Sequence, residues 1–427
     1  MSSSLRRAGL PAFLLAVLII AATAAAGFLA NRAGAPLFAD AAPIFGFWYP
    51  RAGVGTPLAL LVAITVITWG PSSALPWRVL LAAGYVASVA WMLSLALIDG
   101  WHAGVVARLT DWPEYLHDVP RVHDIGTTLA TFTDHILAGQ PDSWTVHVSG
   151  HPPGTLLFYV WLERLGLGGG TWAAVVTLLV AALVAVAVPM TARALRDEAA
   201  GRAVMPFAVL LPGAVWAGVS ADGMFAGVTA TGVALLAINR GRWWPALAGG
   251  ALLGFGLFLS YGLTLMLPVV LAVLLRTRDW RALLFAGLST AAVLAAFAAA
   301  GFWWLDGYHL VVQRYHQGEF ANRPYAYWVF GNLGAFLLSA GPLAVAAVQR
   351  GLRNRGALGW LVLAAAASVL IADLSGLSKA EVERIWLPFA VWFAVGGALL
   401  PRGAHRWWLS LQAVTALAVN HLIATNW

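Results

Sequence analysis

Charged residues are scarce in this sequence, and cysteine is absent. Only 10% of its 427 residues are Asp, Glu, Lys or Arg, whereas soluble proteins average roughly 25%. This deficit excludes an ordinary soluble enzyme, a disordered protein and a protein that binds nucleic acid. The lack of cysteine excludes disulfides, thiolate metal sites and cysteine nucleophiles.

Apolar residues dominate instead. They make up 61% of the chain, the mean hydropathy is +0.79, and 22 tryptophans suit a membrane–water interface. A spanning helix needs about 20 mostly apolar residues, and such runs predict an all-α polytopic membrane protein with about 13 transmembrane helices. We expect spans near 10–30, 55–71, 79–98, 171–191, 204–219, 223–239, 244–259, 261–276, 282–303, 327–348, 357–372, 386–400 and 406–424.

The basic residues predict the orientation of the chain. With a cytoplasmic N-terminus, sixteen arginines fall at cytoplasmic span ends, against eight Arg or Lys on the other side, as expected for a protein of the plasma (inner) membrane. This count requires that segment 153–167 does not fully cross. The glycines of 166–170 end any helix there, so we interpret the segment as re-entrant or interfacial.

Polar residues concentrate in one segment between spans. Residues 99–150 hold seven of the 18 acids and five of the ten histidines, and this segment is predicted to lie outside. Apolar residues at helical spacing between Ile125 and Leu137 predict an amphipathic helix on the membrane surface. We therefore divide the chain into N-terminal transmembrane helices (1–98), an extracytoplasmic loop (99–154) and a transmembrane bundle (155–427). A solvated cap is the alternative interpretation of the loop.

Two motifs stand out in this loop. The first reads Thr-Asp-Trp-Pro-Glu-Tyr-Leu over 110–116, and the second reads His-Val-Ser-Gly-His-Pro-Pro-Gly over 147–154. The Pro-Pro-Gly run predicts a stiff bend at the entrance to the next helix. Further polar segments, 304–326 and 373–385, are also predicted to lie outside.

This order of motifs resembles the GT-C superfamily of membrane glycosyltransferases, which includes the dolichyl-phosphate-mannose protein mannosyltransferases. The resemblance covers roughly 111–400 and implies a transferase that uses a polyprenyl-phosphate sugar. It implies a catalytic extracytoplasmic loop at 99–154 and a GT-C-like bundle at 155–427. Carried over by position, Asp111 or Glu114 corresponds to the family's catalytic carboxylate, and Tyr115 corresponds to the tyrosine after it. His151 corresponds to the histidine of the His-Pro-Pro motif. Asp222 corresponds to the acid at an outer helix end, and Arg384 corresponds to the late arginine.

The sequence departs from the family pattern in three ways. Trp-Pro separates the two acids, whereas many members have them adjacent. Two spans precede the span before the motif loop, which makes Asp40, in the first outer connection, a rival for the catalytic acid. No soluble sugar-binding domain is appended.

The implied chemistry explains these residue types. An acceptor hydroxyl must lose its proton as it attacks the anomeric carbon, and a carboxylate serves as general base. The lipid phosphate leaves with negative charge, and guanidinium forks match phosphate geometry. Arg314, Arg323 and Arg384 are therefore phosphate candidates, and His151 and His316 are candidate donors to the phosphate or to sugar hydroxyls. The implied partners are the lipid donor, a glycan, lipid or protein acceptor and the bilayer. No cofactor is implied, and no ligand cluster indicates a divalent metal.

Each candidate also has a structural interpretation. Asp111 suits a helix N-cap, Asp222 suits a turn or cap, and Arg384 is within one turn of Glu381 and Glu383. His147 and His151 have a spacing that suits zinc on a helix, although the adjacent glycine and prolines argue against a helix there. At the level of the whole chain, a flippase-like transporter and a non-catalytic envelope scaffold are the alternatives to a transferase.

Overall fold

Helices form almost the whole of the structure, a computed structural model that describes residues 9–425. The α-helices are Leu10–Arg32, Gly55–Trp69, Trp77–Ala96, Ile125–Thr131, Val146–Ser149, Gly154–Arg164, Gly169–Ala181, Val184–Leu195, Glu198–Val209, Ala214–Ala217, Ala221–Ile238, Trp243–Leu259, Leu267–Thr277, Trp280–Ala299, Trp304–Gln317, Tyr325–Ala340, Leu343–Arg353, Ala357–Leu374, Val382–Ile385, Leu387–Ala390 and His405–Leu422. Tighter 3₁₀ turns include Tyr115–His117, Val119–Arg121, Phe132–His135, Tyr261–Met266, Glu319–Asn322 and Val391–Leu399.

Seven helices of the described residues are long and apolar enough to cross a membrane: Leu10–Arg32, Gly55–Ser72, Trp77–Asp99, Gly169–Leu195, Ala221–Ile238, Trp280–Ala299 and Ala357–Leu374. The number rises to eight if Tyr325–Ala340 and Leu343–Arg353, bent by 97°, form one span. The bend falls at Gly341, which has a φ of 79°, and at Pro342. The prediction of an all-α polytopic fold is confirmed. The expected count of about 13 spans is not confirmed, because only seven or eight helices have the length and composition to cross.

The difference in count comes mainly from breaks within the apolar runs; the last helix, His405–Leu422, is continuous but is not among those apolar enough to cross. The run predicted at 204–219 divides into Glu198–Val209 and the four-residue helix Ala214–Ala217, with Pro212 between them. The runs near 244–276 and 386–400 form helices of only 10–17 residues. Helix Gly154–Arg164 has 11 residues, which is about 16 Å at 1.5 Å per residue. It is too short to cross the bilayer, as predicted for 153–167.

Glycines allow neighbouring helices of the bundle to approach closely. Helix Trp243–Leu259 packs along Trp280–Ala299, and a Cβ atom on Gly250 would lie 2.3 Å from the carbonyl oxygen of Ala286. Small residues at such contacts are typical of helices that pack within a membrane. Large apolar side chains of the outer helices, such as Leu18 and Leu29, remain exposed, which suits contact with lipid.

The connections of the chain gather at two opposite ends of the bundle. At one end, which we call the site end, Phe45 N donates to Glu383 Oε1 over 3.2 Å, and Ala138 N donates to Gln317 Oε1 over 2.7 Å. Arg323 Nη1 also donates to the Lys379 carbonyl over 2.7 Å, so the segments predicted to lie outside (99–154, 304–326 and 373–385) meet at this end. Elsewhere, arginines hold other connections: Arg202 Nη1 donates to the Leu75 carbonyl over 2.9 Å, and Arg196 and Arg350 donate to the carbonyls of Ala398 and Leu399 over 3.3 and 3.2 Å. We call this group of connections the arginine-rich end.

A small antiparallel sheet closes the site end. Strand β1 (Gly46–Trp48) pairs with strand β2 (Ile423–Thr425), with Phe47 opposite Ala424. Two arginines reinforce this sheet, because Arg51 Nη1 donates to the Ile423 carbonyl over 2.9 Å and Arg108 Nη1 donates to the Thr425 carbonyl over 2.8 Å. The sheet thus joins the first connection and the loop at 99–111 to the last helix.

The predicted amphipathic helix is shorter and faces inward. An α-helix covers Ile125–Thr131, and a 3₁₀ turn follows over Phe132–His135. Phe132 and Ile136 are fully buried, and the Phe132 ring lies 5.5 Å from the ring of Phe302. The prediction that this stretch lies on the membrane is wrong, because its apolar face packs into the protein.

Candidate active site

Backbone hydrogen bonds bring the two loop motifs together. Glu114 N donates to the Asp111 carbonyl over 2.9 Å, which closes a tight turn, and His147 N donates to the Pro113 carbonyl over 3.0 Å. As a result, Oε1 of the buried Glu114 carboxylate lies 3.0 Å from Nδ1 of His147. The 30 residues between the motifs therefore fold back on themselves.

Tyr115 lies at the centre of a group of rings behind this pair. Its ring centroid is 6.0 Å from His147, 5.8 Å from His151 and 5.8 Å from Tyr159. His151 Nδ1 is 2.8 Å from the His147 carbonyl, and the His151 ring lies 5.8 Å from Phe225. Phe225 belongs to helix Ala221–Ile238, so the His-Pro-Pro turn contacts the start of that helix.

Asp222 and Arg384 form a buried ion pair beside these rings. Arg384 Nη1 lies 2.8 Å from Asp222 Oδ2, and its Nη2 lies 3.3 Å from Glu381 Oε2. Asp222 is not the helix cap, because Ser220 Oγ accepts from Gly223 N. The interpretation that Arg384 pairs with an acid one turn away is confirmed for Glu381.

Arg323 belongs to the same network through Glu381. The guanidinium of Arg323 is buried, and its Nη1 lies 3.3 Å from Glu381 Oε1. The same Nη1 donates to the Lys379 carbonyl over 2.7 Å. Nη2 donates to the Phe38 carbonyl over 3.2 Å, and the group lies over the Phe320 ring at 4.2 Å. Glu381 thus bridges two arginines from separate connections.

The charges of the network shift the pKa values of its loop residues. Burial opposes ionisation of Glu114, but His147 and Arg384 hold its pKa below the ordinary value. Burial lowers the pKa of His151 to about 4, which keeps its ring neutral at pH 7. Burial also disfavours the charged form of Arg384, but Asp222 raises its pKa above the ordinary value. We call the connected residues Glu114, Tyr115, His147, His151, Asp222, Arg323, Glu381 and Arg384 the buried network.

Other predicted site residues lie outside the buried network. Asp111 is exposed and caps no helix through its side chain; it lines a separate groove. Arg314 and His316 lie on helix Trp304–Gln317, and within residues 9–425 neither forms an ion pair. Asp40 is exposed in the first connection.

Comparison with known proteins assigns no family. No protein-family model matches this chain, and no curated protein does. Among solved structures, the chain is similar to the crystal structure of ArnT from Cupriavidus metallidurans in the apo state, with 18% identity and a TM-score of 0.45. The match covers 75% of this chain and spans 60% of that one. A likeness at this level carries no argument about function.

Sequence reasoning missed Asp118, which fixes the shape of the loop. Its buried Oδ2 accepts from Thr145 N over 2.8 Å and from Thr145 Oγ1 over 2.7 Å, and its Oδ1 lies 2.7 Å from Arg121 Nη1. The Asp–Arg spacing of three residues is the signal that could have identified this pair. Asp118 therefore joins the stretch after the first motif to the stretch before the second.

The arrangement of His147 differs from the zinc site that its spacing from His151 would suit. Residues Val146–Ser149 do form a helical turn despite the glycine and prolines after it. The ring of His147 contacts Glu114, whereas Nδ1 of His151 contacts a backbone carbonyl. In the part of the chain that the structure describes, no group of three His, Asp or Glu side chains could hold a metal ion.

Proposed function

We propose that this protein is a GT-C-like glycosyltransferase of the plasma membrane. It transfers a hexosyl or pentosyl group from a polyprenyl-phosphate donor to a cell-envelope acceptor, with the site end outside and the N-terminus in the cytoplasm. The observation that carries this proposal is the buried network, which collects charged and titratable groups at one end of an apolar helical bundle.

Burial of so many polar groups needs a reason beyond stability. Taking ions out of water costs several kcal/mol per ion, and a buried ion pair is often no more stable than an apolar replacement. Groups with perturbed pKa values gather at functional sites. The network joins three parts of the chain that are far apart in sequence, around Glu114, Asp222 and Arg384, as a substrate-binding centre requires.

We assign the general base to Asp111 rather than Glu114. A base must lie about 2.6–3.2 Å from the acceptor hydroxyl, and the exposed Asp111 carboxylate is open to an acceptor. Glu114 is buried against His147, so it positions the motif turn. The acceptor oxygen attacks the anomeric carbon, its proton passes to Asp111, and the bond from that carbon to the phosphate oxygen breaks.

The leaving phosphate needs a cation that is not already paired. Arg323 and Arg384 contact carboxylates, whereas Arg314 is half-buried and its Nη1 has no hydrogen-bond partner. We assign the phosphate contact to Arg314, because arginine forks bind phosphate in a bidentate manner. His316 lies two residues on in the same helix and faces a different side, so it stays a candidate donor to a sugar hydroxyl.

The test is transfer of radiolabelled sugar from a panel of polyprenyl-phosphate sugars by membranes that contain the protein. We compare the wild type with Asp111→Asn, Glu114→Gln and Asp40→Asn, and use Asp134→Asn, an exposed acid in the same loop, as the matched control. We expect Asp111→Asn to lose transfer by about 10²-fold or more at normal expression, while Asp134→Asn keeps it. Loss in Asp40→Asn alone would place the base in the first connection.

Transfer that never exceeds the level of membranes without the protein, even in native membranes with their own acceptors, would contradict a transferase. A flippase-like transporter or a non-catalytic scaffold would then be the better interpretation. Measurement of sugar-lipid translocation in vesicles separates those two.

A further inference from the structure

A second polar site lies at the site end, next to the sheet. It is an open groove of ≈ 390 Å³, within the range of roughly 300–1,000 Å³ that small-molecule sites occupy. The groove lies between β1 and the loop at 99–111. Its principal lining residues are Phe47, Tyr49, Arg51, Asp99, Arg108 and Asp111.

The two arginines of the groove are already engaged. Asp99 pairs with Arg51 through one carboxylate oxygen and with Arg108, at 2.9 Å, through the other. Both guanidinium groups also donate to backbone carbonyls of β2. Asp111 forms no ion pair in the described part of the chain, so the groove offers an open carboxylate. Its two arginines and two aspartates leave it without net formal charge, which favours an uncharged ligand over a phosphate or another anion.

Aromatic rings form the opposite wall of the groove. Phe47 and Tyr49 are 47% and 56% exposed, and their ring centroids lie 6.1 Å apart. Because side chains alternate along a strand, the intervening Trp48 points away; it is 64% exposed and lines no part of the groove. Ring faces that pack on C–H groups, beside a carboxylate that accepts from hydroxyls, are the features that recognise an uncharged sugar.

We propose that this groove binds an uncharged saccharide, the acceptor end of a glycan, and presents its hydroxyl to Asp111. The inference rests on the proposed function, which gives Asp111 its role as general base. It deepens that function by naming a glycan as the acceptor. Asp111 is only three residues from Glu114 and its backbone carbonyl accepts from Glu114 N, so an acceptor in the groove lies beside the buried network.

The experiment measures saccharide binding to the full-length protein in nanodiscs, without any donor, by saturation-transfer NMR. The probes are maltose, cellobiose and mannobiose, with glucose 1-phosphate as the anionic probe. The test variant is Phe47→Leu with Tyr49→Leu, which keeps apolar volume but removes both rings. The matched control is Trp48→Leu on the other face of the same strand, and thermal unfolding verifies that each variant is folded.

We expect at least one disaccharide to bind the wild type and the Trp48→Leu variant equally. The double variant should raise its Kd about tenfold or more, which corresponds to about 1.4 kcal/mol. Three results would overturn the inference: no disaccharide binds, the double variant binds as well as the wild type, or glucose 1-phosphate binds and the disaccharides do not.

The same variants separate this inference from the proposed function. If sugar transfer occurs and the acceptor KM is unchanged in the double variant, the groove is not the acceptor site, although the transferase stands. If a disaccharide binds in a ring-dependent manner while no donor supports transfer, the groove is a saccharide site and the transferase is wrong.

Discussion

The two ends of the bundle use charge in opposite ways. At the site end, Asp222 and Arg384 are buried and pair across 162 positions of sequence. At the arginine-rich end, Arg193 and Glu198 lie 2.9 Å apart with each side chain 39% exposed, and Arg202 pairs with the same Glu198 one helical turn away.

This difference separates exposed ion pairs from buried ones. Exposed ion pairs contribute about 0–1 kcal/mol each, and the basic residues of the arginine-rich end follow the usual bias of one membrane side. Several of them simply hold helix ends, as when Arg202 donates to the Leu75 carbonyl over 2.9 Å. Buried pairs carry a desolvation cost, and the usual bias of basic residues toward one membrane side does not explain why the chain would bear it. For this reason, the site end is the better place to look for function.

The comparison is tested most severely by removing one member of a buried pair. Arg384→Gln leaves Asp222 buried without its cation, so the free energy of unfolding should fall by about 3–5 kcal/mol. At the other end, Arg202→Gln should cost less than about 1 kcal/mol. Denaturant unfolding in detergent measures both. Equal losses at the two ends would contradict the distinction, and the double variant Asp222→Asn/Arg384→Gln should recover part of the loss.

A pH titration sharpens the same comparison through His151. Its pKa is lowered to about 4 in the folded protein, so the unfolded chain binds the proton first as pH falls. The contribution of His151 to stability should therefore decrease by about 2–3 kcal/mol between about pH 6.5 and pH 4. The difference in unfolding free energy between the wild type and His151→Gln measures this contribution, and a difference that does not change with pH would contradict the lowered pKa.

Glu383 should give the opposite slope. Burial raises its pKa to about 7, and its Oε2 has no hydrogen-bond partner. The folded protein therefore keeps this proton longer than the unfolded chain, and the contribution of Glu383 to stability should fall as pH rises from about 4.5 to 7. We expect Glu383→Gln to add about 1–2 kcal/mol at pH 7.5. A variant that is no more stable than the wild type at that pH would show that the carboxyl is solvated.

The smallest effect is expected at the arginine-rich end. Glu198→Gln removes the partner of both Arg193 and Arg202, yet it should change stability by less than about 1 kcal/mol, and less still in high salt. Unfolding at two salt concentrations measures this. A large, salt-independent loss would mean that these pairs are as important as the buried network.

The order of motifs predicted several members of the buried network without showing their contacts. Glu114, Tyr115, His151, Asp222 and Arg384 were chosen from the order of motifs, and they come together in the structure. The order could not predict that Asp111 is separate, because this depends on the tight turn that Trp112-Pro113 makes between the two acids.

The fold was predictable in kind but not in detail. Apolar runs identify helices, but they do not show where a helix bends, as at Gly341. The strand Ile423–Thr425 has only three residues, too few for an alternating pattern, and its partner lies almost a full chain length away. The groove that depends on this sheet could therefore not be found from the sequence.

The long reach of the Asp222–Arg384 pair has a consequence for how the chain folds. Helices form from local contacts within microseconds, whereas a contact across 162 residues waits until the segments between have found their places, since closing a long loop is entropically costly. We therefore expect the local helices to form before the Asp222–Arg384 contact. A chain that stopped before that step would leave both charges unpaired.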